Sequence, residues 1–318
     1  MLTYILFFIG FVFLIKGADF LVNGASSVAR RLKISDLVIG LTIVAFGTSA
    51  PELFVNLFAA FRGTTDIAMG NIIGSNIANV MLILGIAAII YPLKVTKGTT
   101  WKEIPLSLLA VALLIIMAND TLIDGFRFNQ LAASEGLVLM AFFIIFLYYT
   151  FGIAKAQGID TLPPAKQYST LKSVGFIVLG LIGLAIGGQF IVNGAVTIAL
   201  SLGLSETLIG LTIVAIGTSL PELATSAVAA YKKNADIAVG NIVGSNIFNI
   251  FWILGLTATI NPLPIAKSLN FDLGIAALAS LLLFAWMFVG RKHELERWQG
   301  ALLVGIYIAY ISFIVVRG

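Results

Sequence analysis

Residues 35–53 read SDLVIGLTIVAFGTSAPEL, and residues 205–223 read SETLIGLTIVAIGTSLPEL. A second matching pair follows: residues 66–80 read DIAMGNIIGSNIANV, and residues 236–250 read DIAVGNIVGSNIFNI. Both pairs are related by one offset of 170 residues, and 34 of the 59 positions from 35 onward are identical to those 170 residues later. The two halves of the chain are therefore copies of each other.

The composition around these motifs is strongly apolar. Of the 318 residues, 59% are hydrophobic and 11% charged, and the mean hydropathy is +1.05. This composition predicts an all-α membrane protein, with room for roughly ten helices of about 20 residues. The absence of cysteine excludes disulfides and thiolate metal centres. No Walker A motif is present and the basic residues form no single patch, so neither nucleotide nor nucleic acid is an expected partner.

Apolar runs bounded by charges, glycine or proline predict ten transmembrane helices. They lie near 2–27, 34–61, 66–91, 103–118, 131–153, 171–198, 204–231, 236–261, 269–289 and 298–316. A polar linker at 155–171 separates two predicted five-helix repeats, 1–154 and 172–318. The repeated motifs extend over 35–93 in the first and 205–263 in the second. An odd number of spans per repeat gives the two copies opposite orientations in the membrane, so the repeats are predicted to be inverted.

The basic residues of the loops predict the orientation. With the N-terminus outside, 14 of the 19 Lys and Arg residues fall in the cytoplasm, 4 fall outside and Lys16 lies within the membrane. Cytoplasmic loops carry an excess of Lys and Arg. The chain is therefore predicted to be a multi-pass protein of the cell membrane, with both termini extracellular and the linker cytoplasmic.

Each copy carries the motif Gly-Thr-Ser-x-Pro-Glu, at 47–52 and at 217–222. The proline has no N–H and clashes with the carbonyl one turn back, so it breaks the helix and frees carbonyl oxygens. The next residue, Glu52 or Glu222, places a carboxylate at mid-membrane depth, which is costly unless it is neutral, paired or bound to a cation. Repetition of the acid in a broken helix favours a cation. Carboxylate, hydroxyl and carbonyl oxygens suit hard ions such as Ca²⁺ and Na⁺.

The third helix of each copy supplies a polar face. Its members are spaced by four residues and stack along one side of a helix: Asn71, Ser75 and Asn79, and Asn241, Ser245 and Asn249. A single polar residue in a membrane helix most often bonds to a neighbouring helix, so a structural role stands beside the ligand role for each of them. Asn71 and Asn241 are interpreted as structural, because they lie one turn away from the serines.

Further charged residues near the helices receive structural interpretations. Lys16 and Asp19 are three residues apart in the first helix and are expected to neutralise each other. Asp66 and Asp236 are expected to cap the third helix of each copy.

The paired motifs closely resemble the α-repeats of the cation/calcium exchanger superfamily, specifically its sodium/calcium exchanger branch of prokaryotic type. Those repeats carry GTS-x-PE followed by GN-x-x-GSN-x-x-N, which here are 47–52 with 70–79 and 217–222 with 240–249. The resemblance covers nearly the whole chain. It implies ten helices in two inverted repeats, a Ca²⁺ site between the glutamates, flanking Na⁺ sites, and long first and sixth helices that slide together to alternate access.

The resemblance also implies a set of ion ligands. Ca²⁺ would be held by Glu52 and Glu222 with the carbonyls of Thr48 and Thr218. The Na⁺ sites would be completed by the backbone oxygens of Ala45 and Ala215 and by Ser49, Ser75, Ser219 and Ser245, while Asn79 and Asn249 would line the centre.

Two sequence differences from other members of the superfamily narrow the choice of coupling ion. Proton-coupled relatives carry an acid where this chain has Gly74 and Gly244, which disfavours proton coupling. Potassium-dependent relatives carry aspartate at the position of Asn249, so potassium co-transport is disfavoured, although less strongly. No large cytosolic regulatory loop is present.

These observations predict a secondary antiporter that exchanges Na⁺ for Ca²⁺ by alternating access, with both ions as substrates and no cofactor or enzymatic activity. Electrogenic, K⁺-independent exchange is expected. The alternatives are a Ca²⁺/H⁺ or K⁺-dependent exchanger, a Ca²⁺-permeable channel, since acidic rings also select cations in pores, and a purely structural membrane protein.

Overall fold

The computed structural model describes residues 2–62, 65–123, 125, 127–156, 167–201 and 215–317. In these ranges the regular structure is helical apart from four two-residue strands. Eight of the described helices are long and apolar enough to span a membrane, and a bent pair, Asp36–Thr48 and Ala50–Arg62, makes a ninth. The predicted helix at 204–231 lies partly outside the described residues. The described chain is therefore an all-helical membrane protein, as its composition predicts.

The helix bounds follow the predicted apolar runs. In the first half the α-helices are Leu2–Leu32, Asp36–Ile39, Ala45–Thr48, Ala50–Arg62, Thr65–Ala78, Gly85–Ile90, Lys97–Trp101, Glu103–Met117, Asp120–Ile123 and Ala133–Ala156. In the second half they are Thr170–Ser201, Ala215–Thr218, Leu220–Tyr231, Ala235–Ile247, Gly255–Ile260, Leu269–Trp286 and Arg297–Arg317. Within the described ranges, three π-helical segments continue the helices that flank them: Gly40–Val44, Asn79–Leu84 and Phe248–Leu254. Such segments are rare and are frequent at functional sites.

Three pairs of helical regions hold the repeated motifs or pack beside them. Leu2–Leu32 and Thr170–Ser201 are the first and second long helices. The first broken helix covers 36–62, and the described part of the second covers 215–231. The first and second polar helices cover 65–90 and 235–260.

The first long helix runs to Leu32, further than the expected end near residue 27. Arg30 and Arg31 lie in its last turn, where basic side chains interact favourably with the negative end of the helix dipole. Lys33 then adopts a left-handed backbone conformation with a φ of 58°, which ends the helix. Arg30 and Arg31, which the apolar pattern places in a loop, therefore belong to the helix.

The two long helices pack against each other in antiparallel orientation along a seam of glycines. A Cβ atom on Gly10 would lie 2.9 Å from the carbonyl oxygen of Gly187, and one on Gly17 would lie 2.8 Å from that of Gly180. Further along, a Cβ on Gly24 would lie 2.8 Å from the carbonyl oxygen of residue 173. Small residues allow such close backbone approach in membranes. The long helices therefore form one tightly packed pair.

The polar helices form the core of the molecule. The second is 94% buried over its apolar window and the first 78%, whereas the helices Ala133–Ala156 and Arg297–Arg317 are 28% and 22% buried over theirs. The outer helices thus expose apolar faces suited to lipid, and the polar helices are surrounded by protein. Two antiparallel strand pairs connect the outer helices to the core, Leu93–Lys94 with Glu294–Leu295 and Gln130–Leu131 with Leu263–Pro264.

Two expectations for single charged residues are wrong. Asp19 does not pair with Lys16, which is exposed; its partner is Lys232, with the Nζ 2.6 Å from Oδ1. The cap of the second polar helix is Asn234, whose Oδ1 accepts a hydrogen bond of 3.1 Å from a backbone N–H. Asp236 lies inside the first turn, because the helix begins one residue earlier than the apolar pattern indicates. The side chain of residue 66 is outside the described part.

Candidate cation site

Both broken helices are interrupted at the repeated motif. The segments on either side of Ser49 are inclined by 46° to each other. Pro51 has no N–H, so the carbonyl of Gly47, four residues earlier, has no helical donor. Pro221 does the same for the carbonyl of Gly217 in the second half. The predicted break in each motif is therefore present, with carbonyl oxygens released from the helix at both.

The two glutamates lie in the first helical turn after these breaks, and each is 1% exposed. Helix N-termini carry partial positive charge, which favours a carboxylate at this position. The Ser49 hydroxyl donates to Oε1 of Glu222 at 2.9 Å, and the Ser219 hydroxyl donates to Oε1 of Glu52 at 3.4 Å. Each half thus supplies a hydrogen-bond donor to the carboxylate of the other half, and both carboxylates lie at the contact between the halves.

The serines of the polar helices bind the same carboxylate oxygens. Ser75 donates to Oε1 of Glu52 and Ser245 to Oε1 of Glu222, both at 3.4 Å. Ser219 also lies 3.2 Å from the Ser75 hydroxyl. The second oxygen of each carboxylate, Oε2, is buried and has no hydrogen-bond partner. One side of each carboxylate is therefore fixed by serines, and the other is left without a donor.

Two asparagines of the polar helices, Asn79 and Asn249, show the same pattern. The Asn79 amide nitrogen donates to Oδ1 of Asn246, and the Asn249 amide nitrogen donates to Oδ1 of Asn76, both at 2.9 Å. The oxygens of Asn79 and Asn249 are buried without a partner. Asn76 and Asn246 thus fix the amide groups of Asn79 and Asn249. The oxygens of these two amide groups take no part in the contact between the polar helices.

Sequence reasoning missed Asn76 and Asn246. The spacing of four that selects the predicted polar face passes over them, although each follows directly after a serine of that face. Their signal is the asparagine of the repeated Gly-Ser-Asn. Residues 76 and 79 are one helical turn apart, so both can face the opposite polar helix.

The site therefore contains four buried oxygens without donors, two from carboxylates and two from amides. Buried acceptors are nearly always satisfied in native proteins, and each one left unpaired costs about 1–3 kcal/mol. Cations bound between the two halves would supply partners for such oxygens. Among the described residues no group of three or more His, Cys, Asp or Glu side chains could hold a metal. An oxygen-only set with two carboxylates suits Ca²⁺ or Na⁺ rather than a transition metal.

The hydroxyls of the motif threonines bond to asparagines of the polar helices. The Thr48 hydroxyl donates to Oδ1 of Asn241 at 3.0 Å, and the Thr218 hydroxyl to Oδ1 of Asn71 at 3.3 Å. Both asparagines thus make the interhelical bonds expected of structural residues. Thr48 and Thr218 would contribute to an ion through their carbonyls, which the resemblance also implies.

The two alanines of the predicted ligand set, Ala45 and Ala215, lie four residues before the serines at the breaks. The Ala45 carbonyl accepts the Ser49 N–H at 3.0 Å and the Thr48 hydroxyl at 3.4 Å. In the second half the Ser219 N–H donates instead to the carbonyl of Ile216, at 3.1 Å. Ala215 begins the described part of the second broken helix. The break is therefore hydrogen-bonded differently in the two halves.

The sequence profile described as "Sodium/calcium exchanger protein" matches residues 2–152 and 172–316. The chain belongs to the sodium/calcium exchanger family. Among the members of this family that it resembles, the "Putative antiporter CaxA" of Alkalimonas amylolytica is 40% identical over 314 residues, covering 95% of both chains. The "Sodium/calcium exchanger MaX1" of Methanosarcina acetivorans is 33% identical and covers 97% of both.

A solved structure of the sodium/calcium exchanger family has the same fold. The sodium-calcium exchanger NCX_Mj, soaked with Na⁺ and Ca²⁺, superposes with a TM-score of 0.84 at 35% identity, covering 98% of both chains. The predicted family is therefore confirmed, and so is the prediction of an all-helical, multi-pass membrane protein.

Proposed function

We propose that this chain is a Na⁺/Ca²⁺ antiporter that works by alternating access at the single site between its two halves. The observation that carries the proposal is the set of four unpartnered buried oxygens, on Glu52, Glu222, Asn79 and Asn249. A Ca²⁺-permeable channel would need a continuous pore, whereas these oxygens lie in side chains about 1% exposed. Burial of the binding groups favours a carrier that encloses its ion.

The proposed ligands of Ca²⁺ are the carboxylates of Glu52 and Glu222 with the carbonyls of Thr48 and Thr218. The proposed Na⁺ ligands are Ser49, Ser75, Ser219 and Ser245 with the backbone oxygens of Ala45 and Ala215, and Asn79 and Asn249 line the centre. Serine hydroxyls that now donate to the carboxylates can turn, because a hydroxyl is both donor and acceptor. The serine oxygens can therefore accept an ion in place of donating to the carboxylates.

The charge of the site determines whether exchange is electrogenic. Two ionised glutamates carry two negative charges, which one Ca²⁺ neutralises, whereas three Na⁺ would leave one positive charge. Exchange of three Na⁺ for one Ca²⁺ moves one net charge, and the membrane potential then contributes about 2.3 kcal/mol per 100 mV. The proposed exchange is electrogenic. It is also K⁺-independent, because residue 249 is a neutral asparagine.

The proposed architecture is ten helices in two inverted repeats, 1–154 and 172–318, joined by the linker at 155–171. Support comes from the antiparallel seam of the long helices and from the two segments matched by the family profile, 2–152 and 172–316. An ion between inverted halves can be reached from either side when one half moves against the other.

Flux measurements on the purified protein in proteoliposomes test the function. Uptake of radioactive calcium should require an imposed Na⁺ gradient and should be unaffected by a K⁺ or H⁺ gradient alone. Uptake driven by protons or dependent on K⁺ would support the alternative exchangers instead. Calcium flux that needs no counter-ion would indicate a channel.

Alanine at Asn76 or Asn246 should raise the Ca²⁺ concentration for half-maximal transport about tenfold, because a lost hydrogen bond of about 1–1.5 kcal/mol no longer fixes the ligand amide. The control is Asn119→Ala, whose amide bonds to Asn270 at the surface. If the Asn76 variant and the control had equal Ca²⁺ concentrations for half-maximal transport, Asn76 would have no role in orienting the ligand amide.

The orientation in the membrane is tested with single cysteines, since the chain has none of its own. Gln167→Cys, at the end of the linker, should react with an impermeant thiol reagent only in opened cells. Lys267→Cys, in a loop predicted to be extracellular, should react in intact cells. Both residues are exposed. The reverse pattern would invert the proposed topology and leave the ion site unchanged.

A further inference from the structure

One ion pair connects the long helices to the rest of the core. Among the described residues there are two ion pairs, and the other, Arg291 with Glu294, is local to one loop. Lys232, just after the second broken helix, lies 2.6 Å from Oδ1 of Asp19 on the first long helix. Its Nζ also donates to Oδ1 of Asn23 at 2.8 Å and to the Asp19 carbonyl at 3.3 Å. Lys232 is therefore held by three acceptors from one helix.

The repeat supplies a counterpart to each member of this group. A shift of 170 residues relates Asp19 and Asn23 to Gln189 and Asn193 on the second long helix, and Lys232 to Arg62 after the first broken helix. At this second position the Gln189 amide donates to Oδ1 of Asn193 at 2.8 Å, and both side chains are exposed. Arg62 is exposed and makes no ion pair with any described residue. The contact formed in one copy is absent in the other.

The Asp19 group and the Gln189 group lie at different levels along the long-helix pair. The long helices are antiparallel, with Gly10 against Gly187 and Gly24 against residue 173. Asp19 and its counterpart Gln189 therefore lie on opposite sides of the middle of the pair. The second broken helix packs along the first long helix, whereas Ala50–Arg62 makes no comparable contact with the second. If the pair slides as a unit, the movement that separates Asp19 from Lys232 brings Gln189 toward Arg62.

We propose that Asp19 and Lys232 form a latch that holds the long-helix pair against the second broken helix, and that Gln189, Asn193 and Arg62 form its weaker counterpart in the opposite conformation. The latch contains a carboxylate and its counterpart does not. The protein is therefore biased toward the conformation seen here. The inference extends the proposed function, because this conformational exchange is the one that would carry the ions.

Thiol cross-linking tests the latch without any transport measurement. Arg62→Cys and Gln189→Cys are introduced together, and a short bifunctional thiol reagent joins them only when these positions approach. Asp19→Asn should increase the rate of cross-linking about two- to fivefold, the range expected when a partly exposed ion pair is lost. Lys232→Gln should do the same. Lys16→Gln, which removes an unpaired charge one turn from Asp19, should leave the rate unchanged.

The charge-reversed double variant, Asp19→Lys with Lys232→Asp, should return the rate to that of the parent, and this separates a lost ion pair from damaged folding. Equal rates in the Asp19→Asn and Lys16→Gln backgrounds would overturn the latch. Absence of cross-linking in every background would show that positions 62 and 189 do not approach each other, which would also overturn the proposal. Sodium-driven calcium flux is measured on the cysteine-free parent, so a failure of the proposed exchange is seen independently.

Discussion

Glutamine at Glu52 or at Glu222 is expected to abolish Ca²⁺ transport while the protein remains folded. The amide keeps the shape of the side chain and can still accept the serine hydrogen bonds that now reach Oε1. It removes the negative charge that compensates Ca²⁺ for losing its water. Sodium-driven uptake of radioactive calcium in proteoliposomes should fall to background for either variant.

Binding and folding can be separated in the same experiment. Ca²⁺ that binds only the folded protein raises the thermal transition of the parent, and the glutamine variants should lose this rise. The matched control is Glu103→Gln, because Glu103 is also buried, at 2% exposure, but is bonded to Tyr149 away from the motifs. Uptake by either site variant at the level of the Glu103 control would contradict the central assignment.

Leucine at Gly17 or Gly180 is expected to disrupt the long-helix pair. A Cβ on Gly180 would lie 2.7 Å from the backbone nitrogen of Leu21, so the helices must separate to admit any side chain. Overpacking of this kind costs about 1–3 kcal/mol or more, which predicts a melting temperature lower by roughly 5–10 °C. Calcium flux should be largely lost, because the pair packs beside the ion site.

Gly175→Leu is the control for the seam variants. Gly175 lies in the same long helix, but a Cβ there would meet no atom within 4 Å. Thermal unfolding and flux of this variant should match those of the parent. If Gly180→Leu behaved in the same way, the two long helices would not be joined by the close contact described here.

The apolar runs and the repeated motif were sufficient to predict most of the described helices and the residues at the breaks. Pro51 and Glu52 act within one turn of chain, and the copy at residues 221 and 222 reinforces the same pattern, so local sequence carries that information. The family resemblance also implied a site between Glu52 and Glu222. The serine bonds between the halves agree with this expectation.

The contacts that sequence reasoning missed join residues far apart in the chain. Asp19 has Lys16 at helical spacing, yet it binds Lys232, 213 positions away, because the second broken helix ends beside it. Asn76 and Asn246 were passed over for a similar reason. Their partners lie on the opposite polar helix, and no periodicity within one helix shows where the other will be placed.

The reciprocal bonds from Ser49 to Glu222 and from Ser219 to Glu52 have a consequence for the origin of the chain. A polypeptide made of only one repeat would keep the hydroxyl of its own polar helix, Ser75 or Ser245, but would lack the hydroxyl that the other motif supplies. With the proposed inverted repeats, such an ancestor would complete this site by meeting a second molecule of itself inserted the other way up in the bilayer. Fusion of the gene with its copy would then have made permanent a pairing that previously depended on both insertions occurring in equal numbers.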